Sequence, residues 1–268
     1  MTDDHKGALA KVPAVTLLYW AIKILATTFG ETAGDAVSMS WLGETTSNAP
    51  TSFWQSGYLI GTAIFLSLLA VMVFLQIRAK RFNPWLYWTT IIASTTAGTT
   101  MADFATRSIG IGYPGGSILL LALVLLSLFV WHQALGTISV NSVHEPKAEL
   151  YYWLTITFSQ TLGTALGDWI ADGPLGYLGS VLIFGGLLVI IALGYYRSAI
   201  NHVALFWAAF ILTRPLGAVV GDFLDKPLAK GGLELSRIGA SLVLGIAIAA
   251  LITLFRQQAA SSSTTEAR

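Results

Sequence analysis

The stretch WAIKILATTFGETAGD, residues 20–35, decides the fold because the chain repeats it three times. The later copies are WTTIIASTTAGTTMAD (88–103), WLTITFSQTLGTALGD (153–168) and WAAFILTRPLGAVVGD (207–222). With the Trp as position 0, each copy has Gly at position 10, a small residue at 14 and Asp at 15, with no gap. Fixed self-similarity of this kind marks a repeat architecture. At about 100° per residue, positions 0, 7, 11 and 15 fall within roughly 80° on one helical face. That face carries the Trp, then Thr27, Thr95, Gln160 or Arg214, then Glu31, Thr99, Thr164 or Ala218, then the Asp. Each copy is therefore a helix with one polar stripe on an apolar cylinder.

Working outward, the rest of the chain is apolar enough to live in a bilayer. Hydrophobic residues make up 54% and charged residues 11%, and the mean hydropathy is +0.68, the profile of an integral membrane protein. A formal net charge of +1 supplies no basic patch for nucleic acid. Zero cysteines exclude disulfides, thiolate metal sites and thiol catalysis. The first apolar run reads as a retained span, since it contains Lys23 and Glu31 and outlasts a signal-peptide core.

The apolar runs predict eight spans of ~20 residues, each matching a ~30 Å hydrocarbon core. They lie at about 13–38, 53–77, 84–107, 117–137, 150–170, 175–196, 203–224 and 235–255. Pro13 suits a helix start. Residues 1–11 and 257–268 read as polar tails, the latter disordered. The expected fold is an all-α membrane protein forming a single transmembrane domain over 1–268. Its four two-helix repeats cover about 12–78, 82–138, 148–197 and 201–256. A two-span unit returns to its starting side, so the repeats share one orientation about an axis along the membrane normal. The polar-striped odd helices should form the centre of this pseudo-symmetric bundle, with apolar even helices outside. Gly57-Tyr58, Gly112-Tyr113 and Gly176-Tyr177, before helices two, four and six, echo the repeat.

Lys and Arg set the orientation. The Trp side has nine: Lys6, Lys11, Arg78, Lys80, Arg81, Lys147, Arg197, Arg256 and Arg268. The Asp side has four, Arg107, Lys226, Lys230 and Arg237. The positive-inside rule puts both termini and the four Trp in the cytoplasm. Trp20, Trp88, Trp153 and Trp207 are expected to form an interfacial belt.

Chemistry must come from the carboxylates. Glu31, Asp35, Asp103, Asp168 and Asp222 would cost on the order of 12–18 kcal/mol if all five faced lipid. They must face each other, a cation or water, or be neutral. Hydroxyls and carboxylates without sulfur or imidazole suit hard ions, namely protons, alkali ions or divalent metals. The expected site comprises Glu31, Asp35, Asp103, Asp168 and Asp222 as cation or metal ligands, with Thr99 and Thr164. Glu31 is the coupling or ion-binding group and the four Asp form an acidic mouth. Lys23 and Arg214 are the coupling or gating candidates. For Lys23, snorkelling to the interface is the favoured alternative; Pro215 next to Arg214 frees a backbone carbonyl. The Asp can instead bond neighbouring groups near the outer interface, and the threonines can bridge helices. The pairs Gly30/Gly34, Gly98/Ala102, Gly163/Gly167 and Gly217/Gly221 read as close-packing surfaces. His5, His132, His144 and His202 lie near or beyond span ends, without zinc spacing.

Three function classes follow. The reading preferred is a membrane transporter for a small hard cation, proton-coupled or divalent. Its partners are the lipid bilayer and the ion, with no cofactor beyond that ion and no nucleic acid. A structural or sensory membrane protein is the alternative. An intramembrane enzyme ranks last, because the Tyr-Asp and Gly-x-Gly-Asp signatures of intramembrane aspartyl proteases both fail here, and no Ser–His or metalloprotease pattern replaces them.

Four tandem two-helix units, each opening on a Trp, resemble the bacterial membrane-protein family defined by a repeat of unknown function. Trp20, Trp88, Trp153 and Trp207 carry the resemblance, which covers nearly the whole chain. It implies four two-span repeats and a location in a bacterial inner membrane, and it supplies no activity.

Overall fold

Each apolar run forms a helix, and the polar stripes decide how the helices gather. The computed structural model describes residues 11–45, 56–108, 111–140, 143, 145–197 and 200–260. The tails 1–10 and 261–268, His5, His144 and the expected helix start at Phe53 lie outside the described residues. The eight helices are α1 (Leu17–Asp35), α2 (Gly57–Arg78), α3 (Pro84–Asp103), α4 (Gly112–Leu135), α5 (Pro146–Ala171), α6 (Gly176–Arg197), α7 (His202–Asp225) and α8 (Arg237–Leu254). Wider π-helical turns, Ala36–Trp41 and Phe104–Ser108, extend α1 and α3 past their Asp.

Local chemistry sets most boundaries. The Thr16 hydroxyl accepts from Tyr19 N and starts α1, and Asn83 and Asn201 cap α3 and α7 the same way. Pro84 and Pro146 occupy the first turns of α3 and α5. Pro13, expected to open the first helix, instead lies in an antiparallel bridge with Ala259. Gly112 and Gly176 start α4 and α6 with φ of 66° and 61°, a conformation costly for any side chain with a Cβ.

The odd helices form a closed ring in which α1 packs on α3, α3 on α5, α5 on α7 and α7 on α1. Glycine makes the ring possible. A Cβ added at Gly30 would lie 1.6 Å from Thr95 Oγ1, at Gly98 2.8 Å from Gln160 Cβ, at Gly163 2.2 Å from Arg214 Cγ, and at Gly217 2.1 Å from Thr27 Oγ1. Position 10 of every copy thus receives position 7 of the next, and the fourth copy receives the first. The chain closes on itself.

The even helices stand outside. Each packs chiefly on the odd helix of the following repeat: α2 on α3, α4 on α5, α6 on α7 and α8 on α1. They turn Leu68, Phe74, Leu125, Phe129, Leu182, Ile190, Leu242 and Ile246 outward, as lipid-facing helices do. By length and composition α2, α4, α6, α7 and α8 are apolar enough to cross a membrane. The polar stripes of α1, α3 and α5 point into the ring rather than at lipid.

Three expectations at the Trp end need correction. Trp88, Trp153 and Trp207 are buried rather than forming an interfacial belt. Trp88 Nε1 donates to Gln257 Oε1 at 2.7 Å and Trp207 Nε1 to Ile138 O at 3.0 Å, and both rings pack in an aromatic cluster. The C-terminal tail therefore begins as docked structure, with Ala260 N bonded to Val12 O. Glu149, one residue before the expected fifth span at 150–170, is a buried residue of α5 whose carboxylate pairs with Lys11 at 2.5 Å.

Candidate functional site

The ring brings equivalent positions together in layers, one every four residues or about 6 Å along the axis. At position −1, a place the stripe analysis did not include, stand Tyr19, Tyr87, Tyr152 and Phe206. The Tyr87 and Tyr152 hydroxyls are 2.6 Å apart, and those of Tyr19 and Tyr87 3.4 Å. The next layer, position 3, holds Lys23, Ile91, Ile156 and Phe210, all with 0% exposure. Lys23 therefore does not snorkel. Its Nζ lies 4.1 Å from the Phe210 ring centroid and has no hydrogen-bond partner among the described residues. A side chain starting one turn inside the ring at the axis faces neighbouring helices, which leaves it no route to the interface.

Arg214 fills the axis at position 7. From α7 it reaches every other odd helix: Nη1 donates to Thr27 O on α1 at 3.3 Å, and Nη2 lies 2.9 Å from Glu31 Oε2. Nη2 also contacts Thr95 O and Thr99 Oγ1 on α3 and Thr164 Oγ1 on α5. The planar, always-charged guanidinium suits such a knot. It lies against Gly163, and the Pro215 ring behind it sits 3.0 Å from where a Cβ on Gly163 would be. So Glu31, Thr99, Thr164 and Arg214 converge as one cluster, with Arg214 in the place where a cation would meet the other three. Gln160, in the Arg214 layer, has neither amide atom paired among the described residues.

Beyond this knot lie the four Asp. Arg107 joins Asp103 and Asp168 at 2.9 and 3.1 Å. Lys226 joins Asp222 at 2.9 Å, Asp35, and Asp225 at 3.7 Å. Arg237 completes the set with Asp225 at 2.9 Å. Arg107 and Lys226, counted above only as charges on the outer side, are thus partners of the buried acids. Both stand at position 19, one turn past their own Asp, in the second and fourth repeats. The same position is Met39 in the first repeat and Asp172 in the third. Each cation bridges its own Asp to that of the next repeat, which reduces the fourfold pattern to a twofold one. Recurrence at position 19 was a signal in the sequence, as was Tyr at position −1.

Tyr58 and Tyr113, from the recurring Gly-Tyr pairs, support Arg107. Arg107 Nη1 donates to Tyr58 OH at 3.1 Å, and Tyr113 OH donates to Asp172 Oδ2 at 2.7 Å. The carboxylates are also close to one another. One oxygen from each of Glu31, Asp168 and Asp222 lies within 4.8 Å of the others, as do oxygens of Asp35, Asp222 and Asp225. Asp222 belongs to both triads. Asp168 Oδ1 and Asp35 Oδ1 are buried without a hydrogen-bond donor among the described residues. Six carboxylates, counting Asp225, thus meet four cations, Arg107, Arg214, Lys226 and Arg237.

Comparison with known proteins adds the family. Residues 18–82, 86–137, 151–201 and 205–259 match the family described as Repeat of Unknown Function (DUF347), once per repeat. No curated protein and no solved structure matches the chain.

Proposed function

The chain belongs to that four-repeat family, and from this premise we propose that it is a membrane carrier for a small hard cation, held here in a closed state. The reading rests on one observation. Among the described residues, six buried carboxylates share four cations, and the Glu31–Asp168–Asp222 triad includes an acid, Asp168, with an oxygen that no donor serves. Two uncompensated negative charges in a low-dielectric ring are costly. One divalent ion or two monovalent ions, protons included, would balance them. Oxygen-only ligands at this spacing suit a hard ion.

Glu31 is the central ligand. Its carboxylate already binds a cation, Arg214, so an incoming ion competes with a tethered guanidinium instead of entering an open pore. Thr99 and Thr164 serve whichever cation is present. Asp35, Asp103, Asp168 and Asp222 form the outer acidic mouth, and Arg107 and Lys226 keep it from binding any cation irreversibly. In this reading both termini face the cytoplasm and the mouth faces outward, which the excess of Lys and Arg at the Trp end supports. The plug that Arg214 makes favours a second reading, a structural or sensory protein whose core never opens.

Thermal unfolding of the purified full chain in detergent, with Na⁺, K⁺, Mg²⁺, Ca²⁺ or Mn²⁺ at fixed ionic strength, separates the two. A carrier should be stabilised by at least one of these ions, by about 2.7 kcal/mol at a hundredfold excess over Kd. Glu31→Gln and Asp168→Asn should each remove the shift. A melting point indifferent to all five ions favours the structural reading.

A further inference from the structure

Gln160 sits on the polar stripe yet takes no part in the carboxylate site. It stands at position 7 of α5, in one layer with Thr27, Thr95 and Arg214. It has 0% exposure, and neither Oε1 nor Nε2 has a hydrogen-bond partner among the described residues. An amide buried this way loses its bonds to water and gains none, so leucine or methionine would fill the place at less cost. The hydroxyls of Thr27 and Thr95 already donate to the Ile24 and Ala26 carbonyls. Arg214 has an unserved group too, since its Nε is buried without an acceptor among the described residues. One layer thus holds an idle acceptor on α5 and an idle donor on α7, helices that pack directly together. The guanidinium head is turned elsewhere, to Glu31, Thr99 and Thr164 one layer further toward the Asp end.

We propose that Gln160 is the second seat of the Arg214 guanidinium, taken when an ion occupies Glu31. This deepens the carrier reading and rests on it. A cation arriving at Glu31, Asp168 and Asp222 meets a guanidinium that cannot lose its charge, and the two repel. The head must move while its stem stays. Arg214 Cβ and Cγ lie against Gly163, 2.4 and 2.2 Å from where a Cβ there would be, and Gln160 is three residues before Gly163 on α5. Residues three apart on a helix are neighbours, with about 5–6 Å between Cβ atoms, so the stem already lies beside the Gln160 turn. Rotation about the Arg214 side-chain bonds carries the head one layer toward the Trp end, where Gln160 Oε1 accepts from it.

The direction of the move suits the charges nearby. α5 stands across the ring from α1, with α3 and α7 between them, so the head travels away from the ion at Glu31 and from Lys23, both on α1. An amide oxygen also suits a temporary seat. It is neutral, whereas a carboxylate would hold the guanidinium in a buried ion pair and leave Glu31 permanently free. Arg214 thereby has two arrangements, on Glu31 without the ion and on Gln160 with it. The ion meets only the fraction of molecules whose guanidinium is off Glu31, and its apparent affinity scales with that fraction.

The test follows the melting point of the purified full chain in detergent as NaCl, KCl, MgCl₂, CaCl₂ or MnCl₂ replaces choline chloride at fixed ionic strength. The readout is the concentration of the stabilising ion needed for a given rise in melting point, which scales with its Kd. Gln160→Leu removes an unserved amide, so without ion it should melt at least as high as wild type. With ion it should need at least tenfold more for the same rise, a change of about 1.4 kcal/mol. Arg214→Met has no guanidinium to seat, so adding Gln160→Leu to it should change the ion requirement less than twofold. A requirement in Gln160→Leu within twofold of wild type overturns the inference and leaves the carrier standing. So does a lower ion-free melting point in Gln160→Leu, which would mean that the amide is already bonded while Glu31 holds no ion. A tenfold rise on adding Gln160→Leu to Arg214→Met would make Gln160 a ligand of the ion itself and overturns the inference as well. No shift of the wild type by any of the five ions overturns both.

Discussion

Replacing Gly30 with Ala tests the ring at its tightest seam. The new Cβ would lie 1.6 Å from Thr95 Oγ1, 2.6 Å from Thr95 Cβ and 3.0 Å from the Thr95 carbonyl carbon. The hydroxyl can rotate, at the expense of its 3.1 Å bond to Ala26 O; the Cβ and the carbonyl carbon cannot. Restoring ordinary carbon contacts of ~3.5–4 Å requires α1 and α3 to part by about 1 Å. Overpacking of this kind costs ~1–3 kcal/mol. Losing the Thr95 bond and weakening the Thr99 bond to Gly30 O adds about 1 kcal/mol each. Alanine returns ~1 kcal/mol of helix propensity, so the net expectation is a loss of about 2–4 kcal/mol. Gly185→Ala on α6 is the control, since nothing lies within 4 Å of its added Cβ. Tryptophan fluorescence during SDS titration of detergent micelles reads the difference. Gly30→Ala combined with Thr95→Gly should recover at least half of the loss. If Gly30→Ala unfolds at the same SDS fraction as Gly185→Ala, α1 and α3 do not meet as described.

Arg214→Met should destabilise by ~3–5 kcal/mol, because it leaves Glu31 buried and unpaired, and adding Glu31→Gln should restore most of that in the same titration. Tyr152→Phe removes the 2.6 Å hydroxyl contact with Tyr87 and should cost about 1 kcal/mol, measured likewise, against no change for Tyr196→Phe on the exposed end of α6. Since the chain has no cysteine, single cysteines at Gly43 and Leu228 should react with an impermeant maleimide from one side of the membrane and one at Ser139 from the other. Labelling of all three from one side would break the two-span repeat.

Much of this fold lay open in the sequence because the repeat fixes register. Once Trp, Gly and Asp recur at positions 0, 10 and 15, the helix count, the polar face and the odd–even division follow. What the pattern could not reveal was which odd helix each even helix covers. α2 carries large apolar residues on both sides, Leu68 and Phe74 outward and Phe65 and Leu69 against Ala93 and Ala97 of α3, so hydropathy does not distinguish neighbours. At the site, the convergence of Glu31 with Asp168 and Asp222 was legible, since five acids in spans have few other places to go. Arg107 and Lys226 were missed because charge counting treats any Lys or Arg at a span end as solvent-facing. Their spacing of four from an Asp on a helix was the better guide. Lys23 was misread for the same reason: closeness to a span end along the chain does not make a route to water when three helices surround it. The tryptophans followed a belt rule that holds for lipid-facing helices, whereas these stand on helices facing the ring.

Cation flux tests the central claim most directly. Full-length chain in sealed liposomes should take up at least one of Na⁺, K⁺, Mg²⁺, Ca²⁺ or Mn²⁺ above the rate of empty liposomes. Glu31→Gln should reduce that uptake at least tenfold, while Glu149→Gln, in the Lys11 pair at the opposite end, should leave it within twofold. Uptake by Glu31→Gln at the wild-type rate, or none by the wild type for any of the five ions, would contradict the account.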